Sequence, residues 1–500
     1  MIKSPPLILL LRAAALLCLL SALGLALIAY RQFQVRPEAN RFPTGEVIAG
    51  VPVGGLTREE AAARVRAAYA IPVELRYQDA AIQARPDEVG FHLDLDQMIS
   101  QAGLSGASQR TWVAFWEALW SRAKPAAAQK IPLSASLDEA VLRRYLENQI
   151  AARYDQAPRG SLVNSDAITF SPPAPGIVLD IEAAVPLVRA ALFSRTERTV
   201  QLPVRGEPAP RPSLAALEGL LRQVVEYENY SGLLEIYIQD LRSGKELNFG
   251  LRNARPVEPG IAFTAASTIK IPVMVSVFRS AGEPTSPEVA GLVANMITES
   301  DNPSTDKVAQ EVLDPVTAPL NVTADIRALG FKNIFWAGFF TPGAPLLDIY
   351  HTPANQRTDI NTSPDIYAQT TPAEMGRLLA EIYTCAQKDS GALVETFSGQ
   401  ISQAECQNML ELLKGNHTPM LLAAGLPDGV RFGHKHGWVV ETSDGLIHNM
   451  ADAGVVFSPG GDYVIDIYLY SPNQLVFDPI NTMVAYLSMA VYNFFNIPGQ

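Results

Sequence analysis

The sequence predicts an α+β multidomain chain. It has an N-terminal transmembrane helix over 5–30, two small α+β modules over 44–130 and 131–206, and a larger domain over 214–500 that combines one antiparallel sheet with a helical subdomain. Three observations predict this. An apolar run opens the chain, a helix-plus-strand pattern recurs before residue 206, and the last part runs helix, two strands, helix-rich stretch, three strands, helix. At 500 residues the length suits about three domains. A chain that is 48% hydrophobic and 18% charged has apolar material for real cores and is not of disordered composition. A net charge of -12 with no basic tract gives no reason to expect nucleic-acid binding.

From Ala13 to Tyr30 there is no charged residue, and Lys3 and Arg12 precede the run. About 20 apolar residues span a bilayer, and Arg12 can snorkel to the head groups. The reading is an uncleaved signal anchor with the rest of the chain extracytoplasmic. A cleaved signal peptide is the alternative, although no clear A-x-A cleavage site precedes Arg31. Arg31, Arg36 and Arg41 follow the run, so flanking charge leaves the orientation open. Cys18 lies in the run; Cys385 and Cys406 are either a disulfide or two reduced thiols. No Cys/His cluster has zinc spacing, and no metal or cofactor is expected.

The modules rest on a repeat. Leu56–Tyr69 and Leu179–Leu192 are identical at seven of fourteen positions. Thr57 and Asp180 are N-cap residues, and Glu60 completes a capping box with Thr57. The helices lead into the alternating runs Val73–Tyr77 and Val200–Val204. Ser136 with Glu139 marks a further helix start, and Arg205–Ser213 reads as a proline-rich linker. The stretch from Ala49 to Ala61 resembles the peptidoglycan-binding modules of Gram-positive cell-wall enzymes, which implies peptidoglycan as a partner.

After the linker, Leu214–Tyr227 has helical periodicity, and Leu233–Gln239 and Glu246–Phe249 read as strands. Three more strands are expected at Arg431–Val440, Ile447–Phe457 and Tyr463–Tyr470, then a helix at Ile480–Phe495. Three motifs fall in this frame. In Ser267-Thr-Ile-Lys270, residues three apart share a helix face, so the amine can reach the hydroxyl and act as its base. Pro272 sits awkwardly in the helix that follows. Ser121-Arg-Ala-Lys124 has the same spacing, but Pro125 stops any helix there. Ser300-Asp-Asn302 precedes Pro303 and reads alone as a helix cap. Lys435-His-Gly437 lies on a predicted strand, where Gly437 allows a close backbone approach.

Together, Ser-x-x-Lys, Ser-Asp-Asn and Lys-x-Gly resemble the signature of class A β-lactamases and penicillin-binding proteins. The resemblance covers about Leu214 to the C-terminus. It implies a β-lactamase-like α/β sandwich in which Ser267 is acylated and Lys270 is a candidate base. It further implies that Ser300 relays a proton, Asn302 binds a substrate amide and Lys435 attracts a carboxylate. The N–H groups of Ser267 and Trp438 would form the oxyanion hole. The substrate it implies is a β-lactam or a peptidoglycan stem peptide.

Thr371, Pro372 and Glu374 resemble the capping box after the omega loop. The pattern also breaks. Leu346–Gln369 contains no glutamate and offers Asp348, Asp359, Asn361 and Asp365 instead, and His436 stands where threonine is usual. His436 is either an acid/base that tunes Lys435 or a strand residue beside the cleft. Three functions stay open: a β-lactam hydrolase, a D-Ala-D-Ala peptidase with slow deacylation, and a non-catalytic peptidoglycan-binding protein.

Overall fold

The computed structural model describes residues 7–35, 41–107 and 128–498. Ser121–Lys124 lies outside them. The first helix, α1 (Leu7–Val35), contains a window from Leu10 to Ile28 with mean hydropathy 2.3 and no buried residue, long and apolar enough to cross a membrane. The chain divides into two compact units, 1–158 with 175–208 and 159–174 with 209–500.

In the first unit, α2 (Arg58–Tyr69) starts at the capping box of Thr57 and Glu60. It leads to β1 (Val73–Tyr77), which pairs antiparallel with β2 (Ala80–Ala84). The second copy gives α3 (Ile181–Phe193), capped by Asp180, and β3 (Thr199–Gln201). β3 lies parallel to β1, with Val200 opposite Leu75. The stretches expected as two modules therefore share a sheet, and they bury one apolar cluster running from Phe42 to Leu202. A short parallel pair cannot close a core alone, so each copy completes the other. The helix expected from Ser136 is capped by Asp138, with Ser136 on a strand. Val204–Glu207 pairs with Gly176–Leu179, so the linker begins later than its composition suggests.

In the second unit, α4 (Leu214–Tyr227) buries Leu217, Leu221 and Val225, a helical stripe. The sheet begins with β4 (Leu233–Asp240), β5 (Glu246–Arg252) and β6 (Arg255–Val257). A helical insertion follows: α5 (Lys270–Ala281), α6 (Pro287–Thr298), α7 (Asn302–Val312), α8 (Ala318–Ala328), α9 (Pro372–Lys388) and α10 (Gln403–Lys414). The chain returns as β7 (Arg431–Val440), β8 (Ile447–Phe457), β9 (Tyr463–Tyr470) and α11 (Phe477–Phe495). Every pairing is antiparallel and the order is β6-β5-β4-β9-β8-β7, so the two halves meet at β4–β9 and β7 is an edge.

Alternation along the strands sorts the core. Ile236, Ile238, Ile465 and Ile467 pack with Leu221, Val484 and Leu487 of α4 and α11. Tyr237, Ala453, Val455 and Val464 pack with Met375, Leu378 and Leu379 of α9. Each fully buried aliphatic side chain contributes about 1.5–3 kcal/mol. Cys385 of α9 and Cys406 of α10 form a disulfide. Residues 159–174 also belong here. They form a small hairpin, Ile168 O accepts from Asn493 Nδ2 at 2.8 Å, and Phe170 meets Phe494 edge-on.

Candidate active site

Ser267 sits in a single 3-10 turn, Ala266–Ile269, that runs into α5 at Lys270. Pro272 then falls in the first turn of α5, where a missing N–H costs little, which removes the conflict seen in the sequence. Thr268 Oγ1 donates to Ala265 O at 2.6 Å and lies 2.8 Å from the Tyr468 hydroxyl on β9, which ties the turn to the sheet. Gly437 of β7 closes the other side: a Cβ there would stand 2.5 Å from Ser267 N. The close approach that needs this glycine is therefore made by the Ser267 turn itself, not only by a substrate. Ala266 and Ser300 both hold left-handed backbone, φ 47° and 57°. Such angles are uncommon outside glycine and persist where surrounding structure enforces them.

Lys270 is fully buried. Its Nζ lies 3.2 Å from Ser267 Oγ, 2.6 Å from Ser300 O, 3.3 Å from Ser300 Oγ and 2.7 Å from Asn302 Oδ1. The Phe340 ring covers it at 5.0 Å. Burial first, and the charge of Lys435 second, push its pKa down to about 7. Ser300 Oγ donates to Ser267 Oγ at 3.0 Å, so the two hydroxyls and the amine form one cluster. Asp301 takes the capping role: it accepts from Ser304 N at 2.7 Å and starts α7, which aims Ser300 and Asn302 at Lys270. Ser267 is half-buried and Asn302 exposed, so the cluster is reachable from solvent.

On β7, alternation places Gly433, Lys435 and Gly437 on one face and His434, His436 and Trp438 on the other. Lys435 is completely buried, unlike a solvated edge lysine; its Nζ donates to His436 O at 3.1 Å and burial lowers its pKa to about 8. The His436 ring stacks on Trp438 and its Nδ1 lies 3.2 Å from Asn416 Nδ2. Burial lowers its pKa to about 4, so the ring is neutral near pH 7 and His436 meets Lys435 through its carbonyl oxygen.

The structure thus brings Ser267, Lys270, Ser300 and Asn302 together, with Gly437 against Ser267. It also reveals Asp306 and Phe340. Asp306, buried on α7, accepts from Phe340 N at 2.8 Å and from Thr341 N and Oγ1, both at 2.7 Å. Its position one turn after Asn302 was legible in the sequence; nothing local marked Phe340. The four loop candidates are engaged elsewhere. Asp359 pairs with Arg357, while Asp348, Asn361 and Asp365 accept from the backbone of Ile349, Ser363 and Tyr367. Thr371 caps α9 as expected. Glu374 does not return to it, because its carboxylate takes N–H groups of Lys332, Asn333 and Ile334.

The sheet thus carries a Ser-x-x-Lys turn beside a lysine-bearing edge strand. Residues 281–495 match the model of the Beta-lactamase enzyme family. The matched stretch holds Ser300, Asn302 and Lys435 and begins C-terminal to Ser267 and Lys270. Similar solved structures include PBP-A, at 21% identity over 57% of this chain and 97% of that one, TM-score 0.39. A beta lactamase from Xanthomonas campestris pv. campestris is 17% identical over 56% of this chain and 99% of that one, TM-score 0.42. A beta-lactamase from Desulfarculus baarsii is 19% identical over 56% and 97%, TM-score 0.40. No curated protein matches the chain.

Proposed function

We propose that the chain is a membrane-anchored serine hydrolase acting outside the cytoplasm, and that it forms an acyl-enzyme at Ser267 with a β-lactam or a related peptide amide. One observation carries the reading: the Ser267 hydroxyl lies within reach of both the Lys270 amine and the Ser300 hydroxyl. Neutral Lys270 takes the proton of Ser267, whose oxygen attacks the carbonyl carbon. The N–H groups of Ser267 and Trp438 receive the oxyanion, a contribution worth about 100–1000-fold per donor. When the C–N bond breaks, Ser300 gives its proton to the leaving nitrogen and recovers one from Lys270. Lys435 attracts the substrate carboxylate and Asn302 binds its side-chain amide. The α1 helix supplies the anchor, and the first unit holds the enzyme near peptidoglycan.

A second reading within this scheme is a peptidase with slow deacylation. It is favoured by the partners of Lys270: among the described residues they are hydroxyl and carbonyl oxygens, none from a carboxylate. Full-length protein in detergent, given fluorescent penicillin and, separately, a chromogenic cephalosporin, tests both. Stable label with little cephalosporin turnover is the result expected of the peptidase-like enzyme. Rapid turnover marks a β-lactamase, and no label at all rejects the acyl-enzyme and leaves a binding protein.

A further inference from the structure

The Asp306 carboxylate accepts three hydrogen bonds from one loop. Phe340 N, Thr341 N and Thr341 Oγ1 all donate to it, and it is only 4% exposed. α7 therefore carries both Asn302, which touches Lys270, and the anchor for the loop that bears Phe340. The Phe340 ring also packs at 5.9 Å against Trp336, itself buried, so its place above Lys270 is set by backbone and by side chain.

Around Lys270 Nζ, one sector ends on Ser267 Oγ and others on the two oxygens of Ser300 and on Asn302 Oδ1. The apolar Phe340 ring flanks the same nitrogen, its centroid 5.0 Å away. We propose that Phe340, clamped by Asp306, keeps hydrolytic water from Lys270 and thereby sets the lifetime of the Ser267 acyl-enzyme. This rests on the acyl-enzyme reading above.

In the hydrolytic step, a water oxygen attacks the ester carbonyl carbon and its proton passes to neutral Lys270. The C–Oγ bond then breaks and Ser267 Oγ takes that proton back, so ester and water become acid and free hydroxyl. Lys270 is the base at hand, and a water must reach its nitrogen to use it. A phenyl ring beside that nitrogen offers such a water no hydrogen-bond partner.

The test is a pulse and chase on the full-length protein: label with fluorescent penicillin, add excess unlabelled penicillin, and follow decay of the bound label. Phe340→Ala is expected to shorten the half-life by about 10-fold or more. Its decay should quicken as pH rises through the titration of Lys270, a dependence that simple loosening of the fold would not create. Asp306→Asn should act in the same direction by freeing the loop. Phe340→Leu, which keeps an apolar cover, should stay within about 3-fold of the parent. A Phe340→Ala label that decays at the parent rate, or a Phe340→Leu label that decays as fast as Phe340→Ala, overturns the proposal. A parent protein that takes up no label removes the underlying acyl-enzyme, and this inference with it.

Discussion

Lys270 Nζ stands 3.2 Å from Ser267 Oγ while two carbonyl oxygens, Ser300 O at 2.6 Å and Asn302 Oδ1 at 2.7 Å, take its other directions. A neutral amine has two N–H bonds and one lone pair. Two acceptors for the N–H bonds leave the lone pair to the serine. That arrangement suits the base role proposed for the amine. The buried charge of Lys435 opposes a second charge on Lys270, and burial opposes it more strongly.

A pH dependence follows from the proposed mechanism. Lys270 works deprotonated, so acylation should rise as pH passes about 7. Lys435 works protonated, so the rate should fall as pH passes about 8. The initial rate of penicillin labelling should therefore describe a narrow bell. A rate that climbs only near the ordinary lysine pKa of about 10.4 would refute a depressed Lys270.

Gly437→Ala places a methyl group 2.5 Å from the backbone nitrogen of Ser267, so the 3-10 turn or β7 must move. Overpacking of this kind costs about 1–3 kcal/mol. A shift of about 1 Å at the reacting atoms costs about 100-fold in rate. Thermal unfolding and labelling rate should both register the change. Normal labelling would mean that β7 yields without disturbing Ser267.

Tyr468→Phe removes the hydroxyl that lies 2.8 Å from Thr268 Oγ1. Both groups are buried, so about 1 kcal/mol of stability should be lost. Thr268 retains its bond to Ala265 O, and folding should survive. The readout is the unfolding midpoint in denaturant. An unchanged midpoint would show that the bond between turn and sheet adds nothing.

The Cys385–Cys406 disulfide joins residues separated by 21 positions. Replacing both cysteines with serine should cost about 3 kcal/mol, chiefly by freeing the unfolded chain. Equilibrium unfolding of the double variant against the oxidised parent measures this, and equal stabilities would argue against it.

Strands were legible wherever their pattern is local. Arg431–Val440, Ile447–Phe457 and Tyr463–Tyr470 have the bounds expected from their residues, as does the helix Leu214–Tyr227. Ser267 and Lys270 were legible because a helical turn turns spacing into contact. Relations set by partners distant in sequence were not. Glu374 has every mark of a reciprocal cap, yet three backbone N–H groups some forty residues earlier in the chain outcompete that role. The parallel pairing of β1 with β3 depends on residues more than a hundred positions apart. Phe340 carries no chemistry of its own, and its place above the amine is set by Asp306, 34 positions earlier.

The central claim is a covalent bond to one oxygen atom. Mass spectrometry of peptides from penicillin-treated full-length protein tests it most directly. One adduct on the peptide containing Ser267, lost in Ser267→Ala, is the predicted result. An adduct on another residue, or one that persists in Ser267→Ala, would contradict it.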